Sequence, residues 1–186
     1  MKHTLRKQLI EMLKAMPPAI ADDKSRLACQ RILSLPEFQR AQVVMAYLNV
    51  VHELSVDPLV REALNQGKTV LSPKVSWEPR TLLPLALTSL DGGLEISEYG
   101  IREPVGAAAW LAERIDLVIV PALAFDRRGL RLGRGGGFYD RFLAEPSLSA
   151  VTCGIAFDDQ LVDSVPVYNH DKPVQMLVTD AQTLRF

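Results

Sequence analysis

The chain has 186 residues, with 21 basic and 22 acidic side chains and a formal net charge of −1. That balance excludes a global field directing the protein toward nucleic acid or an anionic membrane, so any polyanion must be bound by a local cluster of charges. A hydrophobic content of 48% supplies enough apolar surface for one buried core. We therefore expect a single domain over residues 1–186 with no nucleic-acid or membrane partner. A monomer is the expected oligomeric state, although no sequence feature indicates it.

The cysteines and the N-terminal segment indicate the compartment. Cys29 and Cys153 are the two cysteines, and neither belongs to a CxxC motif or a histidine-containing cluster. The first residues, MKHTLRKQLIEMLKAM, mix charged and apolar residues, unlike a signal peptide, and no apolar run is long enough to span a bilayer. A reducing, cytoplasmic location is the expectation.

The first third of the chain alternates between helical and strand patterns. Apolar residues at helical spacing predict a helix over 4–16, ended by the Pro17-Pro18 pair. A second helix is predicted over 21–34, with Leu27, Ile32 and Leu33 facing the core and Pro36 beyond its end.

A change of periodicity follows. VVMAYL, residues 43–48, is typical of a strand buried on both faces. A helix is predicted from the Asp57-Pro58 pair to Gly67, and TVLSPKV, residues 69–75, is the next strand.

The remaining pattern indicates fold class. Residues 75–115 are rich in proline and glycine, which favours short strands and loops rather than a second domain. Further buried strands are predicted at 116–125, 150–157 and 175–180. Because strand–helix–strand order is typical of right-handed parallel crossovers, we predict an α/β fold: a single three-layer domain with a mostly parallel central sheet flanked by helices.

One stretch, RLGRGGGFYDRF at residues 131–142, is unusually rich in glycine. Five of the 11 glycines lie between positions 129 and 137, between an apolar strand and FYDRFLAE, which has helical spacing. Glycine lets an anion approach backbone N–H groups without obstruction by side chains, and Arg131 and Arg134 add full charges beside them. The stretch therefore predicts an anion-binding loop rather than a tight turn with arginines facing water.

Two named phosphate motifs do not fit this loop. A Walker loop needs Gly-Lys-Ser/Thr after its spaced glycine, and a dinucleotide fingerprint needs a third glycine where this chain has Phe138 or Asp140. A carboxylate beside a polyphosphate is repelled unless a cation lies between them, so Asp140 suggests Mg²⁺ shared with phosphate oxygens.

The string FDRRGLRLGRGGGFYDRFL, preceded by VPALAF, resembles the signature of the 5-formyltetrahydrofolate cyclo-ligases, also called methenyltetrahydrofolate synthetases. Four other elements resemble the family in order and spacing: the Lys2 and Arg6 pair, YLNVVHE with Glu53, YGIREP, and GIAFDDQLVDSVPVYNHD ending on Asp171.

The resemblance implies an enzyme that uses Mg-ATP to convert 5-formyltetrahydrofolate into 5,10-methenyltetrahydrofolate, ADP and phosphate. It implies Arg134 and Tyr139 as catalytic residues and Asp140 and Asp171 as Mg²⁺ ligands. The implied folate contacts are Leu48, Glu53, Arg134, Gly135, Gly136, Gly137 and Phe138. The implied ATP contacts are Lys2, Arg6, Arg131, Leu132, Gly133, Arg134, Gly135, Gly136, Gly137, Phe138 and Tyr139.

The loop also departs from the family's familiar form, Gly-x-Gly-Lys-Gly-Tyr-Tyr-Asp. This chain has Gly136 in place of the lysine and Phe138 in place of the first tyrosine. Arg134 or Lys2 could supply the missing charge, and the sequence does not choose between them.

Two other function classes fit parts of the pattern. A sugar-phosphate isomerase would also use a glycine-and-arginine phosphate loop, but no nucleotide. A nucleic-acid-binding module would explain Arg127, Arg128, Arg131 and Arg134 within eight residues, although Asp140 and the net charge oppose it. Other side chains have two interpretations each. His170 beside Asp171 could be an acid–base group, but in a polar loop a solvated or structural role is favoured. Trp77 and Trp110 could stack on a pterin or adenine ring, but packing in the core or at a rim is favoured.

Overall fold

The computed structural model describes residues 2–106 and 108–186. Its strands form where the sequence is apolar and β-branched. They are β1 Val43–Ala46, β2 Thr69–Trp77, β3 Arg80–Leu87, β4 Leu94–Ile96, β5 Arg102–Pro104, β6 Leu117–Val120, β7 Ala124–Asp126, β8 Arg131–Leu132, β9 Val151–Ala156, β10 Leu161–Val162, β11 Met176–Thr179 and β12 Thr183–Arg185.

Seven of these strands form the central sheet, in the order β12-β11-β9-β6-β1-β2-β3. The five inner strands, from β11 to β2, are parallel to one another, and the two edge strands, β12 and β3, are antiparallel to their neighbours. β10-β7-β8 and β4-β5 form two small sheets. The predicted α/β class with a mostly parallel central sheet is confirmed.

Helices cover both faces of the central sheet. They are α1 Lys2–Ala15, α2 Pro18–Leu33, α3 Pro36–Arg40, α4 Asp57–Asn65 and α5 Phe138–Leu143, with 3₁₀ turns at Ala112–Arg114 and Asp158–Gln160. None of the described helices is long and apolar enough to cross a membrane.

Alternation along the inner strands divides the core in two, because successive side chains of a strand point to opposite faces. In β1, Val44 and Ala46 pack with the apolar sides of α1 to α4, whereas Met45 packs on the opposite face together with Phe142 of α5. The sheet is thus the middle of three layers, as the sequence predicts. Helices α1 to α4 form one outer layer, and the short helix α5 lies on the other face.

The helical boundaries differ from the prediction at the prolines. α2 begins at Pro18 rather than residue 21. The N–H that proline lacks would have no partner within the helix at the first helical position, so proline is tolerated there. Pro36 likewise opens α3, a helix that the sequence analysis did not predict. Leu27, predicted to face the core, is 42% exposed, because Ala28, Cys29 and Ile32 supply the buried stripe of α2.

The predicted strand over 116–125 is two strands in different sheets. β6 ends at Val120, and β7 begins at Ala124 in the three-stranded sheet. Pro121 has no N–H to donate and interrupts the ladder. The break turns the chain into the hairpin of β7 and β8, which leads directly to the glycine-rich loop.

Residues 75–115 contain a longer strand than predicted. β3 pairs with β2 over eight residues, with Pro84 directly opposite Pro73. β3 is an edge strand, and β1 pairs with β2 only as far as Leu71. At both prolines one side of the strand has no neighbouring strand to pair with, so the missing backbone N–H leaves no hydrogen bond of the sheet unmade.

Candidate active site

The central sheet has one point where its strand order reverses. β2 and β3 lie on one side of β1, whereas β6, β9 and β11 follow on the other side. In α/β sheets, ligands bind beyond the carboxyl ends of the strands at such a point. A cavity of about 530 Å³ is lined by Glu53, which follows β1, and by Pro121 and Ala122, which follow β6.

The cavity collects residues that are far apart in sequence. α1 contributes its first turn and the 131–140 segment forms a wall, while the 168–171 segment closes the side next to α1. The site residues predicted from the sequence that line the cavity are Lys2, Arg6, Glu53, Arg131, Leu132, Gly133, Arg134, Gly135, Gly136, Gly137, Phe138, Tyr139, Asp140 and Asp171.

Leu48 is the exception among the predicted residues. It is only 3% exposed and packs in the core under the layer of helices α1 to α4. It is not among the described residues that line the cavity. Its contact with folate stays a prediction.

The glycine-rich loop has a backbone that side chains would obstruct. Gly135 and Gly137 have φ of 115° and 66°, which residues with a Cβ rarely adopt. No hydrogen bond found among the described residues uses the backbone N–H of Gly135, Gly136 or Gly137. The loop therefore presents free donors beside the cavity.

Phe138 explains why position 136 is a glycine. A Cβ at Gly136 would lie 2.6 Å from an atom of the Phe138 ring. A lysine at this position would require the ring to turn away. The two departures from the family's loop are therefore linked in space.

α5 adds less to anion binding than the sequence suggested. It has six residues, so few peptide dipoles add along its axis. The free N–H groups of the loop and the nearby cations are the stronger attraction for an anion.

The cavity's cations and carboxylates are paired with one another. Lys2 Nζ lies 2.5 Å from Asp171 Oδ2, Arg131 Nη2 lies 2.8 Å from Asp140 Oδ1, and Arg134 Nε lies 2.6 Å from Glu53 Oε1. Arg6 Nε donates instead to the carbonyl of Gly133 at 2.9 Å. Each of these charged side chains thus has a partner within the protein, unlike the free N–H groups of the glycine loop.

Arg131 is the most deeply buried of these charges. Its side chain is 3% exposed and also donates to the carbonyl of Lys172. Burial lowers the pKa of the guanidinium, and the Asp140 carboxylate opposes that shift. Asp140 also accepts the N–H of Lys172 at 3.2 Å, so it joins the glycine loop to the 168–172 segment.

Asp171 is held in its ionised form. Its partial burial alone would raise its pKa, but the Lys2 ammonium and the N–H of Tyr168 lower the pKa below its ordinary value of 3.8. The Lys2 ammonium also lies 3.9 Å from the centre of the Tyr168 ring. The first turn of α1 is thereby fixed against the far wall of the cavity.

The carboxylates suit a cation that completes its shell with ligand oxygens. Asp140 and Asp171 both line the cavity, and no group of three or more His, Cys, Asp or Glu that could hold a metal occurs in 2–106 or 108–186. Mg²⁺ commonly uses one or two carboxylates together with phosphate and water oxygens. The donor set therefore fits Mg²⁺ bound jointly with a phosphate better than a metal held by protein ligands alone.

Tyr139 places an unsatisfied polar atom in the same region. Its hydroxyl is buried and has no hydrogen-bond partner among the described residues. Burial and the charge of Glu53 raise the pKa of Tyr139, so the phenol stays protonated. A buried O–H without a partner is costly, and a bound ligand with an acceptor atom would relieve that cost.

Three aromatic rings form a wall of the cavity that the sequence did not predict as a group. Trp77 lies 4.9 Å from Tyr99 and 5.0 Å from Phe138, measured between ring centres, and all three rings line the cavity. The sequence favours core or rim packing for Trp77 over stacking on a ligand ring, and it offers Tyr99 only as part of the YGIREP element. Only tertiary structure brings the β2–β3 hairpin to the glycine loop.

His170 also lines the cavity, although its side chain is 75% exposed. The arginines near the loop do not form one basic surface, because Arg128 binds the Asp126 carboxylate, Arg131 is buried and Arg134 pairs with Glu53. That arrangement gives no support to a nucleic-acid-binding face.

Comparison with known proteins identifies the family. A sequence model described as the 5-formyltetrahydrofolate cyclo-ligase family matches residues 1–180. The chain belongs to this family.

Individual cyclo-ligases are similar over nearly their whole length. The 5-formyltetrahydrofolate cyclo-ligase of Mycolicibacterium smegmatis is 35% identical over 185 residues, covering 96% of this chain and 93% of that protein. The enzyme of the same name from Escherichia coli K12 is 31% identical, covering 91% and 94% of the two chains. The solution structure of 5,10-methenyltetrahydrofolate synthetase from Aquifex aeolicus has a TM-score of 0.87 and 30% identity, covering 99% of this chain and 92% of that one.

Family membership fixes the reaction class. The cyclo-ligases are ATP-dependent ligases that act in folate one-carbon metabolism, so this chain is an enzyme of that class. The resemblance seen in the sequence is confirmed.

Proposed function

We propose that this enzyme cyclises 5-formyltetrahydrofolate to 5,10-methenyltetrahydrofolate with Mg-ATP, releasing ADP and phosphate. The observation that carries the proposal is one cavity with two chemically different ends. The free N–H groups of the glycine loop, with Lys2 and Arg6, suit a polyphosphate, and Glu53 with the aromatic wall suits a heteroaromatic ring.

The phosphate end is supported by donors and charge. The N–H groups of Gly135 to Gly137 have no internal partner among the described residues, and Lys2, Arg6 and Arg134 line the same cavity. We assign the triphosphate of ATP to this end, with the loop from Arg131 to Tyr139 around it.

The folate end is supported by Glu53. One carboxylate oxygen accepts from Arg134 and the other accepts the N–H of Val50 at 3.1 Å, so the side chain is fixed in direction. A pterin ring presents paired N–H donors that match a carboxylate. Trp77, Tyr99 and Phe138 provide flat apolar surface for the adjoining rings.

Asp140 and Asp171 would hold Mg²⁺. When bound, the ion would neutralise charge on the phosphate oxygens. The side chains of Lys2 and Arg131 already lie against these carboxylates, which keeps the carboxylates oriented.

The chemistry activates a poor leaving group. The formyl oxygen attacks the γ-phosphorus of ATP, the bond between that phosphorus and the β,γ-bridging oxygen breaks, and ADP departs. N10 of the folate then attacks the resulting iminium carbon and loses its proton. The C–O bond breaks, phosphate leaves, and the methenyl cation remains.

Positioning and charge stabilisation dominate such a reaction. Holding the reactants in line is worth about 7–11 kcal/mol of the barrier, and phosphoryl transfer needs little covalent help from the protein. We assign Arg134 to charge developing on the transferring phosphoryl group. We assign Tyr139 to donate its unpartnered O–H to an oxygen at the junction of the two substrates.

The location, oligomeric state and partners of the enzyme are proposed as the sequence predicts them. We propose a cytoplasmic monomer that binds small molecules and neither nucleic acid nor membrane. Both cysteines are buried free thiols, which is consistent with a reducing compartment.

Isothermal titration with ATP, with and without Mg²⁺, tests the nucleotide assignment. We expect saturable heat that requires Mg²⁺. A sugar-phosphate isomerase would show no such heat and would bind a sugar phosphate instead, which would overturn the assignment of ATP.

A further inference from the structure

Arg141 lies directly behind the glycine loop and outside the set of predicted site residues. It is the fourth residue of α5, and its N–H donates to the carbonyl of Gly137 at 3.2 Å. Side chains in a helix point back toward its N-terminus. The Arg141 guanidinium therefore returns over the loop residues that precede it.

The guanidinium joins two separate segments of backbone. Nη2 donates to the carbonyl of Gly136 at 2.7 Å, and Nε donates to the carbonyl of Arg80 at 2.5 Å. Arg80 is the first residue of β3. One side chain thus ties the loop to the start of the β2–β3 hairpin.

Two neighbours fix the guanidinium's position. It lies 5.2 Å from the centre of the Phe138 ring, within the range of a cation–π contact. Its Nη1 lies 3.0 Å from where a Cβ at Gly137 would stand. A side chain at Gly137 would displace the guanidinium, and the Phe138 ring supports the guanidinium from one side.

The contact with Gly136 determines the direction of an amide donor. In a trans peptide, the carbonyl of one residue and the N–H of the next point in opposite directions. The Gly136 carbonyl points to Arg141, which is not among the described residues that line the cavity, whereas Gly136 and Gly137 both do. The N–H of Gly137 is therefore turned away from Arg141, on the cavity side.

We propose that Arg141 is a positioning residue for ATP. It holds the Gly136–Gly137 peptide with its N–H toward the phosphates and places a full positive charge behind the loop. In this chain the Arg141 guanidinium behind the loop and the Gly137 N–H in front of it replace a side-chain cation at position 136. This inference rests on the proposed function.

Arg141→Met tests the proposal, because methionine keeps an unbranched apolar stem and removes the donors. We expect the Kd of a non-hydrolysable Mg-ATP analogue to rise about tenfold or more, and the Kd of 5-formyltetrahydrofolate to rise by a clearly smaller factor, because Arg141 also contacts the Phe138 ring of the folate end. Arg141→Lys, which offers a compact ammonium in place of the fork, should lie between Arg141→Met and the natural protein. Arg127→Met, at an exposed arginine of the β7–β8 turn that does not line the cavity, is the matched control and should bind like the natural protein.

The inference is overturned if Arg141→Met binds the Mg-ATP analogue normally, or if it weakens both substrates equally, as a merely structural role would. If Arg141→Met does not fold, Arg141→Lys carries the same comparison of the two dissociation constants. Failure of the natural protein itself to bind Mg-ATP would instead refute the proposed function.

Discussion

Arg134 of the glycine loop and Glu53 beyond β1 form an ion pair across the cavity, with 2.6 Å between Nε and Oε1. In the proposed function, Arg134 acts on the transferring phosphoryl group and Glu53 binds the folate ring. On that proposal the pair occupies the place where ATP and folate meet, and binding of the two substrates separates it.

The first prediction is that the two substrates bind with positive coupling. Whichever substrate binds first separates Arg134 from Glu53 and leaves the other residue free for the second substrate. Arg134 is 47% exposed, so the pair is weak and the coupling should be about fivefold at most. Titration of the Mg-ATP analogue with and without 5-formyltetrahydrofolate measures it.

Glu53→Gln provides the control for that coupling. It removes the ion pair, so the analogue should bind equally well with and without folate when folate is supplied at a concentration that saturates the variant. Independent binding in the natural protein would contradict the prediction.

Asp140→Asn is predicted to impair both metal use and stability. Asp140 is the carboxylate paired with Arg131, whose side chain is 3% exposed. Removing the charge leaves a buried cation without its counter-ion. We expect loss of Mg²⁺-dependent turnover together with a free energy of unfolding lower by about 2–3 kcal/mol, measured by urea denaturation.

Asp140 lies in the first turn of α5, and its role in stability comes from the burial of Arg131, which cannot be read from the position of Arg131 in the loop. Turnover that is normal at saturating Mg²⁺ would refute the metal assignment whatever the stability.

Gly133→Ala is predicted to weaken ATP binding without unfolding the protein. A Cβ at Gly133 meets no described atom within 4 Å, and Gly133 lines the cavity. The added methyl group would stand between the backbone and an approaching phosphate. We expect the KM for ATP to rise about fivefold or more, by analogy with the loss of one charge-assisted hydrogen bond.

Gly92→Ala is the matched control for that substitution. A Cβ at Gly92 also meets no described atom within 4 Å, but Gly92 does not line the cavity. Its kinetics should be unchanged, and an equal rise in KM for both variants would refute the role of Gly133.

Asp126→Asn is predicted to destabilise the fold in a pH-dependent way. The side chain is fully buried and accepts the N–H groups of Arg128 and Val165 as well as the Arg128 guanidinium. Burial alone would raise its pKa, but these donors lower the pKa below its ordinary value of 3.8. An amide in its place presents donors to donors, so we expect a loss of about 3 kcal/mol at neutral pH.

The sign of the pH effect follows from the lowered pKa. The carboxylate's contribution is fully present above the unfolded value near 3.8 and is lost as pH falls through the folded value. The difference in unfolding free energy between the natural protein and Asp126→Asn should therefore shrink below about pH 4. Asp23→Asn, whose carboxylate is 70% exposed, should change stability by less than about 0.5 kcal/mol.

The sheet was predictable because its inner strands are continuous apolar runs such as LVIV at 117–120. Most of the residues that line the cavity could be named from the loop and the family resemblance. Three features were not: the split at Pro121, the pairing of Arg131 with Asp140, and the contact of Arg141 with Gly136. Each depends on how distant backbone segments meet, which local spacing does not encode.

The most direct measurement combines purified protein, 5-formyltetrahydrofolate and Mg-ATP under reducing conditions and follows the near-ultraviolet absorbance of the methenyl product. We expect absorbance to appear only when both substrates and Mg²⁺ are present, with one ADP released for each product formed. No absorbance change with folded protein and active folate would contradict the proposed reaction.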